Sequence, residues 1–425
     1  MIRLMQFGAV PPEEIFARAV PEIDVRAVVA DILRDVRERG DAALREYNER
    51  FEKAKPPALE VSPEEMDAAL AGTDPAFLAV LERAAANIRA FHSRQKREGF
   101  RMESDGRVLG QKVMPIEKVG LCVPGGKTPL SSTVLMDAIP AKIAGCAQLV
   151  MVTPPRADGS VDASLLAAAK IAGVDRVFKL GGAQAVAALA YGTESVPKVD
   201  KIVGPGGAFV AEAKRQVFGL VSIDMIAGPS EVLVLSDGKS DPSFVAADML
   251  SQAEHDKLAA AVLVTDSMTL AEAVQAEIER QLPLLEREEI ARASVEQNGK
   301  IIVTDDLDAA VDVANAIAPE HLELCVDEPF AYLERIRNAG SVFLGRSCPE
   351  ALGDYYAGAN HTLPTSGTAR FSSPLSVDDF VKKTQYIYYS DDALRAAADD
   401  VAVFARQEGL TGHARSVTIR KERAQ

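Results

Sequence analysis

The chain has 425 residues, 48% of them apolar but only 5% aromatic, with no Trp. That length exceeds one ordinary domain, and the interior must be built from Ala, Val, Leu and Ile, a palette that suits helices packed on buried sheets. Forty-seven basic against 62 acidic residues leave a formal charge of −15, which repels phosphate backbones and anionic membrane surfaces and excludes nucleic acid as an expected partner.

Met1 to Val20 is interrupted by Pro11, Pro12, Glu13 and Glu14, so neither a secretory core nor a membrane span is expected there, and residues 1–22 read as an arm. Cys122, Cys146, Cys325 and Cys348 are scattered without C-x-x-C spacing; this excludes a zinc ribbon and a disulfide framework and suits a reducing cytoplasm. From Ile23 to about Arg101 apolar residues recur at three and four positions through Val25–Val36, Ala42–Phe51 and Phe77–Phe91, which predicts helices. Ser62, Pro63 and Glu65 form a capping box that predicts a short helix over 63–71. His92 stands close to Arg94, Lys96 and Arg97 and reads as part of a solvated face.

After Val113 the texture changes to short β-rich runs closed by glycine or proline turns: Val119–Val123, Leu149–Thr153, Val177–Leu180 and Lys201–Val203. A second series follows at Val232–Leu235, Ala261–Thr265, Lys300–Thr304, Leu322–Val326 and Ser341–Leu344. Strand, turn, helix, strand is the pattern of parallel sheets with right-handed crossovers. The predicted fold is therefore α/β, with two Rossmann-like parallel-sheet domains and small helical N- and C-terminal segments. The expected division gives 23–113 and 233–375 to a first domain, 114–232 to a second, and 376–425 to a helical tail. Asp237, Asp266 and Asp305 follow three of the runs, at the carboxyl edge where ligands of open sheets gather.

Glycine clusters mark four strand-to-helix turns: Gly125–Gly126, Gly181–Gly182, Gly204–Gly207 and Gly228. The first misses phosphate-loop spacing, and the third misses G-x-G-x-x-G at its last position, where Phe209 would obstruct close helix packing. Without a standard nucleotide fingerprint, these turns fit a structural role as well as a ligand's approach.

Five histidines occur. Gln252 and His255 lie three apart on a segment, 244–259, that reads as helix, so both point the same way and can share a metal. Asp354 and His361 fall in a glycine-broken loop, and His413 stands near the C-terminus. Nitrogen and oxygen donors without thiolates suit zinc with an open position, although a His or Gln taken singly is more often an ordinary surface or core group. Glu320 and His321 precede a β-like run and pair two proton acceptors, or else end a helix with ordinary charges.

Together these segments resemble the histidinol dehydrogenase family over nearly the whole chain: VGLCVPGGKTPLSSTVLM (119–136), GGAQAVAALAYGTESVPKVDKIVGPGGAFVAEAK (181–214), IDMIAGPS (223–230), SQAEH (251–255), APEHLEL (318–324) and 353–380. The resemblance implies NAD-dependent oxidation of L-histidinol to L-histidine through the aldehyde, with one zinc per chain held by Gln252, His255, Asp354 and His413. It implies His321 as proton acceptor and Glu320 as the base that activates water. Ser230, His361 and Glu408 would contact substrate, along with Gln252, His255, His321, Asp354 and His413. It also implies a homodimer with exchanged C-terminal tails, so that Glu408 and His413 serve the partner's site. Relatives of the family oxidise other small alcohols such as sulfonated diols, which is the alternative substrate class. Cys122, Gln184 and Gly207 match dinucleotide positions, but the family usually carries Tyr where Cys122 stands and Asn where Gly207 stands, and Lys127, after the Gly-Gly turn, is a candidate for a compensating phosphate contact.

Overall fold

The computed structural model describes residues 1–18, 24–126 and 128–423; Lys127, residues 19–23 and the last two residues lie outside them. Strand β1 (Arg3–Gln6) opens the chain, and β2 (Phe100–Ser104) and β3 (Arg107–Pro115) form a hairpin. Then come β4 (Lys118–Cys122), β5 (Gln148–Thr153), β6 (Arg176–Lys179), β7 (Lys201–Val203) and β8 (Ser222–Ile223), a parallel sheet ordered β6-β5-β4-β7-β8. A second parallel sheet takes β9 (Glu231–Ser236), β10 (Ala260–Thr265), β11 (Lys300–Val303), β12 (His321–Cys325) and β13 (Ser341–Leu344) in the order β1-β11-β10-β9-β12-β13. β14 (Val381–Tyr389) pairs antiparallel with β3.

Setting β1 aside, both parallel sheets run in the doubly wound order 3-2-1-4-5. All nine predicted runs are strands within a residue or so of their expected ends. Strands buried on both faces read as unbroken apolar runs, which is why they were visible. The box at Ser62 also forms: the Glu65 N–H donates to Ser62 Oγ at 3.2 Å and Glu65 accepts from the Ser62 N–H at 2.9 Å, opening a helix over Pro63–Gly72.

The contacts divide the chain into one unit of 1–95 with 116–380 and a second of 96–115 with 381–425, which corrects the expected boundaries in three ways. First, the helices α1 (Arg26–Arg39) and α2 (Pro75–His92) pack on the β4–β8 sheet, Val29, Ile32 and Val36 against Val150 and Phe178, and Leu81, Ala85 and Ile88 in one core with Val119 and Leu121. Periodicity identifies the apolar face of a helix but not the sheet that covers it. Second, residues 3–6 are an edge strand rather than part of an arm. Third, the tail is not wholly helical, because β14 precedes α-helices at Asp391–Gln407 and Thr411–Arg423.

His92 is fully buried at the end of α2, with Nδ1 2.7 Å from Gln95 Oε1, and not solvated as expected. Leu81, Ala84, Ala85, Ile88 and His92 form one stripe, and that phase overrides the charged neighbours. Among the described residues no helix is long and apolar enough to cross a membrane.

Candidate active site

Helix α3 (Leu307–Ile317) ends at Ala318, a left-handed residue at φ 53° whose N–H donates to the Ala314 carbonyl at 2.9 Å. This C-cap turns the chain through Pro319 into central strand β12, delivering Glu320 and His321 to the amino edge of the sheet. The site therefore lies at the edge opposite the one expected for ligands. Of the three carboxyl-edge aspartates it uses none, and Asp237 is engaged by Arg346 at 2.6 Å.

His321 is buried, with Nδ1 3.0 Å from the Glu231 carbonyl. A carbonyl only accepts, so the hydrogen sits on Nδ1 and leaves Nε2 as the free lone pair of the neutral ring. Nε2 has no hydrogen-bond partner and stands 3.5 Å from Asp354 Oδ1 and 3.9 Å from Glu350 Oε1. Glu320, also buried, accepts the Glu231 N–H on Oε2 at 2.8 Å and lies 3.7 Å from His321 Nδ1. Burial pushes the Glu320 carboxyl up to about 8, against the pull of His321. Burial would lower His321, but Glu320, Glu350 and Asp354 outweigh it and raise the imidazole to about 10.

Helix α4 (Pro242–Ala253) brings the next residues to the same edge. It stops at Ala253, short of the expected 259, so His255 sits in the turn beyond, its N–H donating to the Gln252 carbonyl at 3.2 Å. Gln252 is buried with one atom of its amide 2.5 Å and 2.9 Å from the two Glu350 carboxylate oxygens; since a carboxylate only accepts, that atom is assigned as the nitrogen, which leaves Oε1, the atom of an amide that ligates metals, free. Donor atoms of His255, Glu350 and Asp354 lie within 4.8 Å of one another. Glu350 was not singled out from the sequence. Its spacing of four from Asp354 across the helical turns Glu350–Leu352 and Gly353–Ala357 is the signal that would have found it. Its N–H is held by Glu323 Oε1 at 2.7 Å. Two carboxylates, an imidazole and an oriented amide oxygen are a hard, nitrogen-and-oxygen donor set that fits zinc.

His361 donates from Nδ1 to the Asp354 carbonyl at 3.0 Å and meets Thr133 Oγ1 through Nε2 at 3.3 Å. Asn360 donates to the Met136 carbonyl at 2.7 Å, and the Thr362 hydroxyl to Asp137 Oδ1 at 3.1 Å. Ser230 immediately precedes β9 and accepts the Ala260 N–H on its carbonyl at 3.0 Å. Glu408 and His413 belong to the second unit, where both are exposed and line a small cavity with Phe404 and Leu410.

The carboxyl ends of β4–β7 surround a cavity of about 440 Å³ built from Cys122, the Gly125–Gly126, Gly181–Gly182 and Pro205–Gly207 turns, and Phe209. This is the switch point of the doubly wound order, where nucleotides bind such sheets. Phe209 is 45% exposed and part of the cavity rim, so it does not obstruct the helix as expected. Cys122 is buried in the wall, while a Cβ on Gly207 would meet nothing within 4 Å. Gln184 does not line the cavity but stands in the helix between two residues that do, Gly182 and Ala185, with its buried Nε2 unpartnered.

A family model described as histidinol dehydrogenase matches residues 17–421. The chain is 55% identical to a histidinol dehydrogenase of Geobacillus kaustophilus over 401 residues, 94% of this chain and 95% of that one. It is 54% identical to one of Syntrophotalea carbinolica over 428 residues, 99% of each. The crystal structure of histidinol dehydrogenase from Elizabethkingia anophelis superposes with a TM-score of 0.94 at 36% identity, covering 100% of this chain and 98% of that one.

Proposed function

The chain belongs to the histidinol dehydrogenase family of oxidoreductases, and from that premise we propose that it oxidises L-histidinol to L-histidine through L-histidinal, using zinc and two NAD, in the last steps of histidine biosynthesis in the cytoplasm. The observation that carries this reading is the convergence of the unpartnered His321 Nε2 on Glu350 and Asp354, with His255 and Gln252 alongside.

Gln252, His255 and Asp354, with His413 of a partner subunit, are the proposed ligands, and zinc bound there would orient and polarise the substrate's oxygen. His321 is the proposed acceptor of the alcohol proton, on Nε2, and a dication held by the neighbouring carboxylates would offset the charge that favours its cation. Its Nδ1 hydrogen bond to Glu231 holds the ring in that tautomer. Glu320 then serves as the base that activates water for attack on the aldehyde, since only the second oxidation consumes water. The glycine-lined cavity would hold NAD, with Cys122, Gly207 and Gln184 as the nearby positions, and the dinucleotide when bound would supply the hydride acceptor for both oxidations. Ser230, His361 and Glu408 contact the substrate.

The test is the absorbance of NADH on adding L-histidinol, followed by a panel of other amino alcohols and sulfonated diols. Turnover confined to a diol would replace histidinol as the substrate, and no NADH from any of them would refute the oxidation.

A further inference from the structure

The turn between β7 and α5 (Ala208–Val217) starts at Gly204, held at φ 105°. A Cβ there would come within 2.3 Å of the Cys122 carbonyl oxygen and 2.7 Å of Asp137 Oδ2, so only glycine fits. Both polar groups of this residue are taken by side chains. Its N–H donates to Asp224 Oδ2 at 2.8 Å, and its carbonyl accepts from Lys214 Nζ at 2.9 Å. Lys214 and Asp224 are in turn paired with each other, their side chains only 2% and 1% exposed. Asp224 also accepts the Met225 N–H at 2.6 Å, so this carboxylate is fully occupied.

A buried ion pair of this kind is weak evidence for stability, because desolvating two charges offsets their attraction and well-packed apolar side chains often do as well. Apolar side chains cannot, however, fix a peptide by its N–H and its C=O at once. The residues held this way lead directly into Pro205, Gly206 and Gly207, which line the glycine-rich cavity.

We propose that Lys214 and Asp224 are positioning residues that lock Gly204, and through it the Pro205–Gly207 turn, in the conformation that receives the dinucleotide. Neither touches cofactor or substrate. This inference rests on the reading of that cavity as the NAD site, and the test separates the two.

Lys214→Met with Asp224→Asn removes both charges without stranding either; the single Asn oxygen can still accept the Gly204 N–H at the expense of the Met225 N–H contact, the Gly204 carbonyl is released, and the melting temperature reports whether the fold is retained. In the zinc-loaded enzyme the NAD dissociation constant should rise about tenfold or more, with zinc content and the histidinol Michaelis constant within about twofold of the parent. A merely structural pair would lower the melting temperature and leave NAD affinity unmoved, and that result would overturn the proposal. Gly207→Trp serves as the control for the cavity: if NAD binds this variant as it binds the parent, the cavity reading fails and the clamp with it. Hydrogen exchange in the unaltered protein gives a measurement independent of any variant. The Gly204 amide should be protected before NAD is added, and an amide that becomes protected only on NAD binding would refute a pre-set turn.

Discussion

Glu350→Gln removes one charge and almost no volume from the centre of the site. In the parent the carboxylate accepts both Gln252 contacts, stands 3.9 Å from His321 Nε2 and belongs to the convergent trio with His255 and Asp354. The amide cannot accept from Gln252 on both atoms, so the orientation that frees Gln252 Oε1 loses at least one charge-assisted bond, worth about 1.5–3 kcal/mol. Partners that orient metal ligands typically change metal affinity by about 10–100 fold, which converts to roughly 1.4–2.8 kcal/mol, the same range. The assay is competition for zinc against a chromophoric chelator, with the melting temperature of the metal-free protein as the control for folding. Zinc affinity within about threefold of the parent would refute the reasoning, because it would mean that neither Glu350 nor the Gln252 orientation contributes to the metal centre. At the same time the imidazole of metal-free His321 should titrate lower, because a carboxylate that favours its cation has been removed.

Glu320→Gln keeps an oxygen to accept the Glu231 N–H and loses only the base. The histidinal-to-histidine half should fall by about 100–10,000 fold and the histidinol-to-histidinal half by much less, and equal losses measured on the two substrates would contradict the assignment. Chelation should abolish turnover while leaving far-ultraviolet circular dichroism nearly unchanged, since the cores of both parallel sheets are apolar and metal-independent; full activity in metal-free protein would sink the zinc proposal. Mixing inactive His255→Ala and His413→Ala chains should restore activity if each tail completes a partner's site, because some mixed dimers then hold one intact centre, whereas sites made within one chain give no rescue. Gly207→Asn enters open space at the cavity and should lower the NAD Michaelis constant without altering zinc content; an unchanged or higher value would show that NAD is gripped elsewhere.

How much was legible in the sequence followed burial. The strands of the two parallel sheets are covered on both faces and stand out as apolar runs, whereas every residue of β2 is exposed and β14, exposed at most positions, ends in a largely aromatic run (Tyr386–Tyr389) inside a tail read as helical. The proposed acid–base pair and metal ligands of the first unit were assigned their roles by the resemblance to the family rather than by local pattern, and Glu350 was passed over because an isolated acidic residue carries no motif of its own. Local pattern pointed both ways on which edge of the sheet holds the site, because Glu320 and His321 precede one strand whereas the aspartates follow three others. The Lys214–Asp224 pair joins residues ten apart through a glycine's backbone, a relation that no side-chain periodicity records.

The helix over Ser131–Ala144 follows the Gly125–Gly126 turn and holds the 360–362 loop through Thr133, Met136 and Asp137. One rigid rod thus carries the wall of one cavity at its head and grips the proposed substrate loop along its side. It works as a spacer gauge: the separation between the glycine-lined cavity and the 360–362 loop is set by a length of helix rather than by two independent loops, and if the cavity holds the dinucleotide and the loop the substrate, two successive oxidations would meet that same separation without any part of the frame being reset.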